Sequence, residues 1–164
     1  IAALIEGEGE PNSVFVANVG DSRCYRYSEK SGLEQLSEDD STHSKQVGEI
    51  SDSASSIEDV LENKEAAEAF RHRNIIANCL GQLNSNRINV VNHDLNKNDI
   101  VFVCSDGVHD NLTREEITNI LAENSKSSPR EISEALIEAS SKRMADGTFR
   151  SKDDDTSVVV IKNN

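Results

Sequence analysis

Apolar residues along this chain come in short runs separated by polar turns. Ile1 to Ile5 is the first run, closed by a Gly/Glu/Pro/Asn turn over Gly7 to Asn12. Val14-Phe15-Val16-Ala17-Asn18-Val19 is the second, ended by Gly20-Asp21, and Cys24 to Tyr27 is the third, ended by a turn over Ser28 to Gly32. Runs this short, joined by turns this short, predict antiparallel pairing, because parallel pairing needs a long crossover. Arg87 to Val91 and Asp99 to Cys104 predict two more strands around the polar turn Asn96-Lys97-Asn98. Ser157-Val158-Val159-Val160-Ile161 reads as a buried last strand.

Helical spacing appears in three places. Ser55 with Glu58 makes a capping-box pattern ahead of a helix running to about Phe70. Thr113-Arg114-Glu115-Glu116 is a second capping box, followed by Ile117, Ile120 and Leu121 on one face. Ser128-Pro129-Arg130-Glu131 is a third, with Pro at the first helical position and a stripe of Ile132, Ala135, Leu136 and Ala139. Between strands and helices, positions 37–56 carry seven Ser and five acidic residues among twenty. That stretch reads as a polar, mobile excursion, with at most a short helix around Lys45 to Ile50. The order strands, helix, strands, helices, strand predicts an α+β sandwich of antiparallel sheets flanked by helices, as a single domain over residues 1–164.

Composition narrows the picture. With 164 residues the chain can bury a real core, and with no Trp and 4% aromatics that core must be built from Ile, Val, Leu and Ala. A formal net charge of -13 leaves no basic stripe to neutralise phosphates, which argues against a nucleic-acid partner. No apolar run approaches membrane-spanning length. The three cysteines, Cys24, Cys79 and Cys104, are odd in number and lack metal-ligand spacing, so a reducing compartment, cytoplasmic or nuclear, fits best. Cys104, inside an apolar run, reads as a small buried thiol. The Asn111-Leu112-Thr113 sequon is read as a chance match, its Thr serving as a helix cap.

The chemistry lies where apolar strands stop. Ile100 to Cys104 runs into Ser105-Asp106-Gly107, with Asp110 just beyond; Asp153-Asp154-Asp155 precedes the last strand; Glu38-Asp39-Asp40 follows Leu36. A strand end holds a carboxylate in place, and Gly107 is expected to let the backbone turn sharply beside Asp106. Asp106 taken alone is as readily a turn residue as a ligand. Two carboxylates about 4 Å apart repel by roughly 4 kcal/mol at an effective dielectric near 20, so if the fold joins Asp106 and Asp154, a cation belongs between them. Oxygen-only donors favour Mg²⁺, Mn²⁺ or Ca²⁺ over zinc, and the spacing is not that of an EF-hand. His43, His72, His93 and His109 offer no paired metal spacing, and His109 reads as a solvent-facing turn residue.

These residues carry a resemblance. Val16-Ala17-Asn18-Val19-Gly20-Asp21-Ser22-Arg23 is similar to the "vANvGDSR" motif of metal-dependent Ser/Thr protein phosphatases of type 2C (the PPM family). Leu36 to Ser41 resembles its "LT-x-DHS" segment, and Asn78-Cys79-Leu80-Gly81 its "t-r-x-LG" segment. Asp99 to Asp110 resembles "D-x-l-l-l-CSDGl-x-D", and Asp154-Asp155-Thr156-Ser157-Val158 stands where that family has "DN-x-[ST]-V". Five motifs in order point to the carboxyl-terminal portion of the catalytic domain. The resemblance implies two antiparallel sheets flanked by helices, a metal centre between the sheets, and hydrolysis of phosphoserine and phosphothreonine without a covalent enzyme intermediate. It implies that Asp106 and Asp154 bind the catalytic metal pair, and that Asp39 and Asp110 join Asp106 at a third, weaker site. A register shifted by one would put Asp153 in place of Asp154. Gly20, Asp21, Ser22 and Arg23 are implied to be mainly structural. The cofactors implied are two or three Mg²⁺ or Mn²⁺ ions in the complete domain, and the partner is a phosphoprotein substrate, with a monomer when complete.

The upstream "DGHGG"-like motif has no counterpart here, and the chain opens at Ile1 inside an apolar run. The expectation is a truncated or processed chain that lacks part of the active site, leaves sheet edges uncovered and turns over substrate poorly by itself. Asp40 stands in place of the usual His, and Asp155 in place of the usual Asn. The alternative is a pseudophosphatase or interaction module that keeps the fold without catalysis.

Overall fold

The structure, a computed structural model, describes residues 2–6, 13–40, 64, 77–81 and 88–163. Among the described residues, seven strands form two sheets. β1 (Ala2–Glu6), β2 (Ser13–Asn18) and β5 (Asn89–Asp94) make a three-stranded sheet in the order β1-β2-β5. β3 (Arg23–Ser28), β4 (Gly32–Gln35), β6 (Ile100–Cys104) and β7 (Val158–Lys162) make a four-stranded sheet in the order β4-β3-β6-β7. All pairings are antiparallel. Three helices follow β6: α1 (Asp106–His109), α2 (Arg114–Glu123) and α3 (Pro129–Asp146).

The period-2 geometry of strands makes the four-stranded sheet serve two cores. Cys24, Val101 and the partly buried Val103 point one way and meet Val14, Val16, Leu36 and Leu95, which fills the space against the smaller sheet. Tyr25, Tyr27, Ile100, Phe102 and Cys104 point the other way and meet Val108, Leu112, Ile117, Leu121, Ile132 and Leu136 from the helices. Tyr25 and Phe102 are cross-strand partners and their rings stack at 5.0 Å. Each large side chain so buried contributes roughly 1.5–3 kcal/mol. The expected α+β sandwich of antiparallel sheets is therefore present, with the described helices covering one face of the larger sheet.

Two of the three expected capping boxes lie within the described residues, and both form. Thr113 Oγ1 accepts from Glu116 N at 3.1 Å while Thr113 N donates to Glu116 Oε2 at 2.8 Å. Ser128 and Glu131 repeat the arrangement at the start of α3, with Pro129 at the first position.

Several expectations need correction. β4 was not anticipated; it is a strand because the turn after β3 folds it back, with only Leu33 buried. Asp106 and Gly107 were expected in a turn and instead open the single-turn α1, too short to show any helical period. β5 lies at Asn89–Asp94 rather than Arg87 to Val91, its register fixed by β2. β7 is not a buried strand: it is the edge of its sheet, Val158 and Val160 packing on the helices while Val159 is 62% exposed. The helix expected from Ser55 to about Phe70, the short helix around Lys45 to Ile50, and the polar excursion from 41 onward lie outside the described residues.

Short links do not all make hairpins. β2 and β3 are separated only by 19–22, yet they belong to different sheets, and so do β5 and β6. The Gly20-Asp21 corner, with Gly20 at φ 100°, is thus where the chain passes from one sheet to the other.

Candidate functional site

The site grows from the pairing of β6 with β7. Register Cys104↔Val158 sets the end of one strand beside the start of the other. The pairing continues past the strands: Ser105 N donates to Ser157 O at 3.1 Å, Ser157 N donates to Ser105 Oγ at 3.0 Å, and Ser105 Oγ donates to Asp155 O at 3.0 Å. Residues just beyond Cys104 and just before Val158 therefore face a common space.

Gly107 is essential to that closure for a reason other than the sharp turn expected. Its φ is not in the left-handed region; instead, a Cβ there would lie 2.5 Å from the Asp155 carbonyl oxygen and 3.1 Å from Thr156 Oγ1. The loop before β7 lies against the α1 backbone, and only hydrogen fits between them.

Asp106, Asp110 and Asp154 meet on one cation, and that cation is a lysine. Lys152 Nζ donates to Asp106 Oδ2 at 2.5 Å and to Asp110 Oδ2 at 2.8 Å, and lies 3.1 Å from Asp154 Oδ2. Burial works against the Lys152 ammonium, but hydrogen bonds to the three aspartates outweigh it and hold it above its ordinary range. Burial also raises the Asp110 carboxyl, yet His109 and Lys152 pull it further the other way, well below the usual carboxylate range. Asp154 is lowered chiefly by its bond to Lys152. Asp154, not the exposed Asp153, contacts Lys152, so the register chosen by Ser157-Val158 is the one that reaches the cluster.

The lysine is positioned by a residue met above only as the start of a chance sequon. Asn111, fully buried, accepts from Lys152 N through Oδ1 at 2.9 Å and donates through Nδ2 to Lys152 O at 3.0 Å and Gly107 O at 2.9 Å. One amide side chain clamps the Lys152 backbone on both sides and ties it to α1.

Asp39 makes its contacts elsewhere. Arg23 donates from Nε to Oδ1 (3.1 Å) and Oδ2 (2.9 Å) and from Nη2 to Oδ2 (2.7 Å), while Gln35 Nε2 donates to Oδ1 at 2.9 Å. The carboxylate expected at a third metal site is engaged by a guanidinium fork. Asp40 braces the Gly20 corner, accepting from Gly20 N at 3.1 Å and Asn78 Nδ2 at 2.9 Å.

Asp21, expected to be mainly structural, has a carboxyl that feels the charge of Asp106. Burial first, and then the neighbouring Asp106 carboxylate, push it up from its ordinary value. His109 is likewise not a solvent-facing residue. It is buried, its Nε2 donates to the Asp21 carbonyl at 3.1 Å, and its Nδ1 lies 3.4 Å from Asp110 Oδ1. The helical turn of α1 rotates it inward, which a reading of this stretch as a loop could not anticipate.

Among the described residues, no group of three or more His, Cys, Asp and Glu side chains is arranged to hold an ion as it stands. The chemistry of the donors nevertheless fits a hard divalent ion, because carboxylate oxygens alone converge on a point already occupied by positive charge.

A family model described as Stage II sporulation protein E (SpoIIE) matches residues 60–164. A comparison with curated protein sequences yields no match. Among solved structures, the S. agalactiae serine/threonine phosphatase is 23% identical with a TM-score of 0.65 over 91% of this chain and 53% of its own. The Mycobacterium tuberculosis serine/threonine phosphatase PstP/Ppp is 24% identical with a TM-score of 0.66 over 95% of this chain and 56% of its own. The catalytic domain of a serine threonine protein phosphatase PstP, in complex with 2 manganese ions, is 22% identical with a TM-score of 0.63 over 95% and 55%. At these identities the likeness is one of fold, and the chain spans about half the length of the structures it matches.

Proposed function

Because the chain belongs to the family described as stage II sporulation protein E (SpoIIE), we propose that it serves metal-dependent hydrolysis of phosphoserine and phosphothreonine in proteins. It does so as the carboxyl-terminal part of a type-2C phosphatase domain. The observation that carries this reading is the convergence of Asp106, Asp110 and Asp154 on one cationic point at the paired ends of β6 and β7. The manganese ions of the PstP catalytic domain, which shares the fold, are in keeping with it.

Asp106, Asp110 and Asp154 are the residues proposed to hold Mg²⁺ or Mn²⁺. Bound ions there supply positive charge against the phosphoryl group and make water more acidic. The protein's own contribution is rigidity and charge. Ser105 and Gly107 fix the β7 approach against α1, Asn111 fixes the segment bearing Lys152, and Asp21 adds a further carboxyl beside Asp106. Asp39 enters an ion site only if it exchanges Arg23 for metal. The phosphoprotein is the proposed substrate, and by itself the chain is proposed to turn it over poorly.

A second reading, an interaction module that keeps the fold without catalysis, is favoured by one observation: Lys152 already occupies the point on which the three carboxylates converge. Calorimetry with Mn²⁺ separates the two, using the chain beside an Asp106→Asn, Asp154→Asn double variant. Saturable binding that is lost in the variant supports the phosphatase reading. Equal binding in both, or none in either, supports the module.

A further inference from the structure

We propose that Lys152 is a built-in counter-cation that holds the place of the metal, so that ion binding is an exchange of ammonium for metal rather than the filling of a ready site. The inference rests on the metal reading above and adds the residue that sets its affinity.

Three features carry it. The ammonium contacts one oxygen from each of Asp106, Asp110 and Asp154, at distances from 2.5 to 3.1 Å, so it stands where a shared ion would have to stand. Its backbone is clamped by Asn111 and does not depend on those contacts. Its side chain retains 17% exposure, so four methylenes and the head have a route to solvent. A lysine built this way can withdraw by side-chain rotation alone, leaving the loop before β7 in place. An arginine would not release so readily, because its planar fork engages two oxygens at once.

The chain without metal therefore carries its acids partly compensated, one ammonium against three carboxylates. Each ion that binds must displace the ammonium, which lowers apparent affinity and makes it depend on this one side chain.

The test is calorimetric titration of Mn²⁺ into the full 164-residue chain, Lys152→Met and Lys152→Arg, with circular dichroism to check folding. It is paired with reductive methylation of the unaltered chain, read at Lys152 by mass spectrometry with and without Mn²⁺. Lys152→Met is expected to bind Mn²⁺ about tenfold more tightly, the equivalent of one lost competing ion-pair cluster. Lys152→Arg should bind no more tightly than the unaltered chain, and Mn²⁺ should speed methylation of Lys152 several-fold. Unchanged affinity in Lys152→Met, or methylation at Lys152 that ignores Mn²⁺, overturns this inference while leaving metal binding intact. Absence of Mn²⁺ binding in all three chains overturns it together with the metal reading. Should Lys152→Met not fold, the methylation result on the unaltered chain decides.

Discussion

Two carboxylate sites in this molecule are each held by one basic side chain, which cancels the charge at the first and leaves two negative charges in excess at the second, and they are built for opposite purposes. At the corner between the sheets, Arg23 grips Asp39 with two nitrogens, Gln35 adds a third donor, and Arg23 Nη1 also donates to Tyr25 Oη at 3.1 Å. Both charged side chains are nearly buried, at 12% and 6% exposure. At the β6–β7 end, Lys152 holds three carboxylates with one head group, the partners being 16–36% exposed. A guanidinium fork locks one pair in one geometry, whereas an ammonium on a flexible stem bonds without fixing direction. Permanence belongs to the first site and exchange to the second. A balanced pair thus does structural work in one place, while a cluster with two negative charges in excess leaves room for chemistry in the other.

The largest expected effect tests the permanent half. Arg23→Met leaves Asp39 buried without its partner, which costs about 3–5 kcal/mol. Urea denaturation should show that loss with little dependence on added salt. A loss below about 1 kcal/mol would mean that the Arg23 pair is as exchangeable as the Lys152 cluster, and the contrast would fail.

Next comes the frame that brings the second site together. Gly107→Ala forces a methyl into the Asp155 carbonyl, so either α1 or the loop before β7 must move, at about 1–3 kcal/mol. Because the displaced loop carries Lys152 and Asp154, Mn²⁺ affinity should fall together with stability. Stability lost with affinity unchanged would show that the cluster does not depend on this close approach.

What could be read from the sequence divides along the same line. Asp106, Asp110 and Asp154 were legible because each stands where an apolar run ends, and the run itself announces the strand. The helix starts were legible because a capping box is local, Thr113 with Glu116 and Ser128 with Glu131. Lys152 was not, since a lysine beside three aspartates has the pattern of a solvated surface. Its role appears only when β7 pairs with β6. Asn111 was not, because Lys152 lies 41 residues away from it and no periodicity marks the pair. Asp39 was legible as a carboxylate of interest, but its partner sixteen residues earlier was assigned to the Gly20 turn, so the two were never weighed as a pair. Arginine and aspartate declare charge in a sequence; whether that charge is compensated is a property of the fold.

The smallest effect sharpens the exchangeable half. In the presence of a chelator, Lys152→Met should lower stability by only about 1 kcal/mol at neutral pH, because the cluster is partly exposed. Its pH dependence identifies the source. Asp110 and Asp154 are held below their ordinary values, so their contribution is present above the unfolded carboxylate range near ~4 and is lost as pH falls through the lower folded values. Lys152 is held above its ordinary value, so its contribution is present below about 10.4 and is lost as pH rises through the higher folded one. The difference between the two chains should therefore be flat from about pH 5 to 9 and shrink on either side. Salt at about 1 M, which shortens the screening length to roughly 3 Å, should shrink it as well, while the loss in Arg23→Met persists. A difference that ignores both acid and salt would assign Lys152 to packing, its stem rather than its charge. It would also remove the ground for distinguishing the two sites by how readily their cations leave.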